Sequence, residues 1–212
     1  MTSSPAAPQV VFLLSPAHCG GRRAQILLNP GATFPLAVQL REIGAPLGEV
    51  FSFLSGLYFR GKLAYARSFA RATAEAGGIF VITPGRGLVP PDTIVRLDDL
   101  REIAGVGVEP DEPRFRDPLA RDCIALRPAL SGDDVVVLLG SIATGKYVDI
   151  LEQHLESRLR FPVEFVGRGD MSRGGLMLRR VLLGEPLSYV PVAGATRRGH
   201  RPPRLEPLGR TS

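Results

Sequence analysis

The sequence has little of what marks a secreted scaffold, a zinc module or a membrane protein. Its two cysteines, Cys19 and Cys123, are too few for a disulfide framework, and neither sits in a CxxC. With only His18, His154 and His200 to add, no structural zinc site is expected, and no other cofactor motif stands out. The longest unbroken apolar stretches, Val10 to Leu14 and Val135 to Leu139, fall far short of the roughly 20 residues that span a bilayer. Met1 to Gln9 carries no basic region and leads into an apolar run too short for a secretory signal, so a cytoplasmic protein with no membrane partner is expected. Lysine is almost missing too. Of 26 cationic residues only Lys62 and Lys146 are lysines, which leaves 24 arginines.

Arginine therefore carries the formal charge of +5. Guanidinium forks bind phosphate or carboxylate bidentately, although a GC-rich genome produces the same bias. An anionic partner, a nucleic acid or a nucleotide, is permitted by this balance. At 212 residues and 44% hydrophobic, the chain is one globular domain or one domain with a tail.

Four short apolar runs read as strands: Gln9 to Leu14, Gly78 to Thr83, Asp134 to Leu139 and Phe161 to Val166. Continuous apolar runs of this kind belong to parallel strands covered on both faces by helices. Phe51, Leu54, Tyr58, Tyr65 and Phe69 form a helical stripe within Gly48 to Ala76, with an interruption expected near Gly56 or Gly61. Leu97 to Ala104, Pro118 to Leu126, a segment from Lys146 and another from Gly174 to Leu183 also read as helices. The expected fold is α/β, a three-layer α/β/α sandwich on a mostly parallel sheet over residues 1–185. A basic Pro/Gly-rich arm, 186–212, would follow and could contact a protein partner.

In such a sheet ligands lie beyond the carboxyl ends of the strands. The turns placed there are Ser15 to Arg23, Pro84 to Thr93, Gly140 to Tyr147 and Gly167 to Gly175. They would bring Arg22, Arg23, Arg86, Lys146, Arg168 and Arg173 to one crevice, among glycines that allow a ligand close to the backbone. Gly140, Gly145 and Lys146 match GxxxxGK between a strand and a helix, the setting of a phosphate-cradling loop, but Tyr147 stands where a magnesium-binding hydroxyl belongs. For catalysis the candidates are Asp92, Asp170 and His18. The carboxylates could orient water or steady an oxocarbenium-like centre, and the imidazole could act as an acid. Each carboxylate has a plainer reading: an Asx-turn for Asp92, pairing with neighbouring arginines for Asp170. Cys19 is expected to be buried rather than nucleophilic.

The segments GLYFRGKLAYARSFA (Gly56 to Ala70), FVITPGRGLVPPDTIV (Phe80 to Val95) and VVVLLGSIATGKYVDIL (Val135 to Leu151) resemble uncharacterised bacterial domains that carry Ser-Ala-Lys-Tyr-Gly-Leu and Pro-Asp-Thr after a strand. Those domains, like the YaaA proteins whose first strand ends in Ser-Pro-Ala as Ser15 to Ala17 does here, are similar to the uracil-DNA glycosylase fold. The resemblance implies a pocket for a nucleobase or nucleoside, with Arg86, Gly87, Pro91, Asp92 and Thr93 in the loop after the second strand. The chain lacks the Gly-Gln-Asp-Pro-Tyr and His-Pro-Ser loops of the glycosylases themselves. The leading expectation is a protein that binds nucleic acid or a nucleotide and processes a base or N-glycosidic bond. A phosphate-ligand regulator or transferase using Gly140 to Lys146, and a non-catalytic assembly subunit, are the alternatives.

Overall fold

The computed structural model describes residues 7–203 and 205. Among these residues eight strands, β1 (Val10–Leu14), β2 (Ala45–Pro46), β3 (Ile79–Thr83), β4 (Gly87–Val89), β5 (Ile94–Val95), β6 (Val135–Leu139), β7 (Leu159–Pro162) and β8 (Tyr189–Pro191), form two sheets. The main sheet runs β4-β3-β1-β6-β7-β8, while β2 and β5 make a small antiparallel pair. Strands β3, β1, β6 and β7 are parallel, and β4 and β8 close the two edges antiparallel. The helices are α1 (Arg22–Leu28), α2 (Pro35–Glu42), α3 (Leu47–Ser55), α4 (Leu57–Phe69), α5 (Leu97–Ala104), α6 (Pro113–Leu126), α7 (Val148–Leu155) and α8 (Asp170–Leu183).

The pleat explains the layers. Val10, Phe12 and Leu14 of β1 share a face with Val137 and Leu139 of β6, and this face packs on α3, α4 and α8. Val11, Leu13, Val136 and Leu138 point the other way, into α6 and α7. Each central strand is thus apolar on both faces because helices cover both, and the fold is a three-layer α/β/α sandwich.

Several boundaries differ from the sequence reading, each for a local reason. The stripe breaks at Gly56, whose φ of +60° suits glycine, and not at Gly61, which lies inside α4. Helix α6 starts five residues before Pro118, at Pro113, where proline is favoured and the Glu112 carboxylate accepts from the Arg114 amide. Strand β7 begins at Leu159 and ends at Pro162, which has no N–H for the ladder, and Val163–Phe165 turn into a 3₁₀ coil. Helix α8 begins at Asp170, a carboxylate well placed in a first turn. Arg22 and Arg23 open α1 instead of lying in a turn. The domain does not end at 185: β8 completes the sheet, and Leu187 and Val192 are buried. Of the arm beyond, Arg204 and residues 206–212 lie outside the described residues.

One crossing positions the site. A Cβ on Gly61 would stand 2.7 Å from Gly174 O, and one on Gly174 would stand 2.7 Å from Leu57 O. Helices α4 and α8 therefore meet backbone to backbone. Gly61→Ala or Gly174→Ala should cost about 1–3 kcal/mol through overpacking. Chemical denaturation of the two variants checks it, and wild-type stability in both would show that the helices can move apart freely.

Candidate functional site

The chain leaves β1 for β3 on one side and later reaches β6 on the other, so the strand order reverses between β1 and β6. The connections after these two strands diverge there, as expected at a topological switch point. They leave a cleft of about 320 Å³ lined by Ser15, His18, Tyr58, Lys146, Tyr147 and Asp170. A neighbouring hollow of about 340 Å³ shares His18 and Lys146 and is walled by Pro84 and the 103–109 segment. A third depression, of about 330 Å³ around Arg86, Glu102 and Arg114, holds charges that already have partners: Arg86 pairs with Glu102 and Arg114 with Glu112.

Beneath the first cleft lies a buried amine. Lys62, fully enclosed, falls in phase with the apolar stripe of α4, between Tyr58 and Tyr65. Its Nζ donates to the Ser15 carbonyl (2.6 Å) and bonds Ser15 Oγ (2.9 Å). It also sits over the rings of Tyr58 (4.4 Å) and Phe59 (4.7 Å). Among the described residues no carboxylate forms an ion pair with it. Burial pushes this amine down to about 7, Asp170 opposes the shift, and Arg173 adds to it.

Two phenols frame the same place. Tyr147 Oη accepts from the Ser141 amide and donates to the Ser141 carbonyl, 3.1 Å each. Tyr58 Oη is buried in the field of Arg173 but makes no hydrogen bond of good geometry. Burial raises the pKa of both. Gly140 allows this packing, since a Cβ there would come within 2.9 Å of both Ser15 Cβ and Tyr147 Oη.

Of the residues singled out from the sequence, His18, Asp170 and Lys146 share the cleft. His18 is exposed on the β1 loop, Asp170 is exposed at the start of α8, and Lys146 reaches Glu109 at 3.2 Å. Most of the expected arginine crevice is otherwise engaged. Arg86 pairs with Asp99 (2.6 Å) and Glu102 (2.8 Å), and Arg23 donates to Phe53 O. Arg168 donates to Glu164 O, Ser172 Oγ and Pro203 O. Arg173 is buried, with Nε and Nη2 on Phe165 O, its guanidinium 5.5 Å from the Phe165 ring, and Asp170 at 3.6 Å. Arg22 is exposed on α1.

Asp92 is outside the cleft. The β3–β4 hairpin turns the chain back along the sheet, and Asp92 pairs with Arg67 in solvent. In the Gly140 to Lys146 loop two amides are already taken, Ser141 N by Tyr147 Oη and Ala143 N by Ser141 Oγ, and the Asp149 carboxylate packs against Gly145 at the entrance to α7. Cys19 is buried, and its thiol is pushed up to about 12, which removes it as a nucleophile. Ser15 and Lys62 are not candidates from the sequence, and Tyr58, which could stack a base, reads there as part of the packed stripe. Their one sequence signal is that a lysine, in a chain of arginines, falls on the apolar side of a helix.

No family model matches the chain, and no curated protein or solved structure matches it.

Because the folded chain holds Lys62 near 7 against an ordinary 10.5, the unfolded chain binds more protons above neutrality. Stability should therefore rise by on the order of 1 kcal/mol per pH unit between pH 7 and about 8.5, below the range where exposed thiols ionise. Urea titrations across that range check it. Lys62→Met should flatten the slope, and an unchanged slope would assign the effect elsewhere.

Proposed function

We propose that the protein binds a nucleotide-type ligand, free or within a nucleic acid, in the switch-point cleft and acts on the bond to its base. The observation that carries this reading is the convergence of His18, Asp170 and Lys146 on one cleft at the reversal of strand order. About 320 Å³ is at the small end of ligand pockets and suits a nucleoside or a single extruded nucleotide. In N-glycosidic hydrolysis, positive charge develops on the sugar and the base leaves as an anion unless it is protonated. Asp170 would steady the sugar cation and orient water, His18 would give the base its proton, and Lys146 would meet a phosphate.

The two alternatives have less support. A transferase built on the Gly140 to Lys146 loop would have to free the amides of Ser141 and Ala143 from Tyr147 Oη and Ser141 Oγ. For an assembly role through the arm, Arg197 would have to leave Asp149 and Glu152 of its own domain.

Base release from nucleosides, nucleotides and single-stranded DNA tests the proposal. Asp170→Asn should slow release by on the order of 100-fold or more, while Asp92→Asn, beside Arg67 in solvent, should leave it unchanged. Ligand binding should weaken as salt rises if phosphate contributes. Neither base release nor thermal stabilisation with any nucleoside or nucleotide at millimolar concentration would overturn the reading.

A further inference from the structure

We propose that Ser15 is an acylatable nucleophile with Lys62 as its general base and the Tyr58 hydroxyl as donor to the oxyanion, so that the cleft transfers acyl groups from carboxylic esters. This inference stands on different residues from the nucleotide reading and does not depend on it.

Three observations carry it. Ser15 leaves the carboxyl end of the central strand β1 and lines the cleft, and its Oγ lies 2.9 Å from Lys62 Nζ, within reach of direct proton transfer. The second bond of Nζ, 2.6 Å to the Ser15 carbonyl, anchors the amine beside the hydroxyl, to which it donates at rest; in its neutral form it can keep one N–H on the carbonyl and turn its lone pair to the hydroxyl proton. Tyr58 Oη is buried, lines the same cleft and, among the described residues, makes no hydrogen bond of good geometry, Arg173 being near it without one. A buried hydroxyl kept unpaired beside a nucleophile is suited to an oxygen that becomes charged only during reaction.

The amine has no carboxylate partner among the described residues that would lock it as an ammonium. Burial favours its neutral form at physiological pH. The titratable and charged groups around it are Asp170 and Arg173 from α8, Tyr58 from its own helix, Tyr147 ahead of α7, and His18 across the cleft. Asp170 and Arg173 act on the amine in opposite senses, which leaves desolvation in control.

The step balances without a co-reactant beyond water. Ser15 Oγ bonds to the ester carbonyl carbon while its proton passes to Lys62 Nζ. The C–O bond to the leaving group then breaks, and the leaving alkoxide takes that proton from Lys62. Water attacks the acyl-serine, gives its proton to Nζ, and the carboxylic acid departs as Oγ recovers a proton.

Methanesulfonyl fluoride tests the pair without a known substrate. An Oγ–S bond forms, the S–F bond breaks, fluoride leaves and the hydroxyl proton goes through Lys62 to solvent. Peptide mass mapping should find one label per chain, on the peptide that holds Ser15, and none in a folded Ser15→Ala variant. The labelling rate should rise about tenfold per pH unit and level off near pH 7, as expected of a base with the pKa of this amine. Tyr58→Phe should slow labelling about tenfold or more. Lys62→Met should slow it at least 100-fold, and if that variant does not fold the wild-type pH profile decides. No label at Ser15, labelling as fast in folded Lys62→Met, or a rate that climbs past pH 9 without levelling would each overturn the proposal. Labelling without base release would sink only the nucleotide reading.

Discussion

The contact between the backbones of α4 and α8, at Gly61 and Gly174, is the constraint on which the rest of the site depends. A side chain at either position would collide with the opposite main chain. With both absent, α4 is held between α8 and the face of the sheet that carries Phe12 and Leu14. Lys62 follows Gly61 directly, so the crossing drives it under the end of β1 and onto Ser15. Tyr58 lies one turn earlier on α4, while Asp170 and Arg173 lie within a turn before Gly174 on α8. The same close approach therefore sets the geometry of the amine and the two charges that act on it.

A buried lysine with no carboxylate partner lowers stability, because solvation of the ammonium is lost and little replaces it. Local rules are broken in this way mainly where chemistry needs it. The choice of residue sharpens the point. With 24 arginines in the chain, arginine is the default cation. Arginine cannot give up its proton at any accessible pH, whereas lysine loses its proton readily once buried. A cation needed only to hold a backbone carbonyl could be an arginine, as Arg173 on Phe165 O demonstrates. At Ser15 the chain uses one of its two lysines.

The layers of the fold were legible because burial on both faces leaves an unbroken apolar run, and β1, β3 and β6 each have one. Helix α5 was legible to its exact ends, from Leu97 to Ala104. The edge strands were not. β4 and β8 have three residues each and take their register from β3 and β7, so no periodicity of their own announces them. The site was half legible. Placing His18, Lys146 and Asp170 at the carboxyl edge needed only a parallel sheet and the order of its turns. Expecting Asp92 beside them failed because a three-residue return strand, invisible as a pattern, carries it back along the sheet. Lys62 carries no such signal, because it lies inside a helical stripe whose spacing reads as packing and not in a turn at the sheet edge.

The arginines illustrate a more general limit. A pattern can bring a guanidinium to a sheet edge, but whether it faces a ligand depends on acceptors that are distant in sequence. Arg86 finds Asp99 and Glu102 on the next helix, and Arg197 finds Asp149 and Glu152 on α7. Arg168 and Arg173 instead hold carbonyls of the segment before α8. These contacts turn an apparent anion-binding surface into a set of ties between loops, and they steady the walls of the cleft. What is left at its centre is a space of low net charge, with the amines of Lys62 and Lys146, one imidazole, one carboxylate and two phenols. Such a place is poorly suited to gripping a polyanion through many phosphates at once. It is better suited to holding one polarised bond near a hydroxyl and a base, where exclusion of water strengthens every dipole aimed at it.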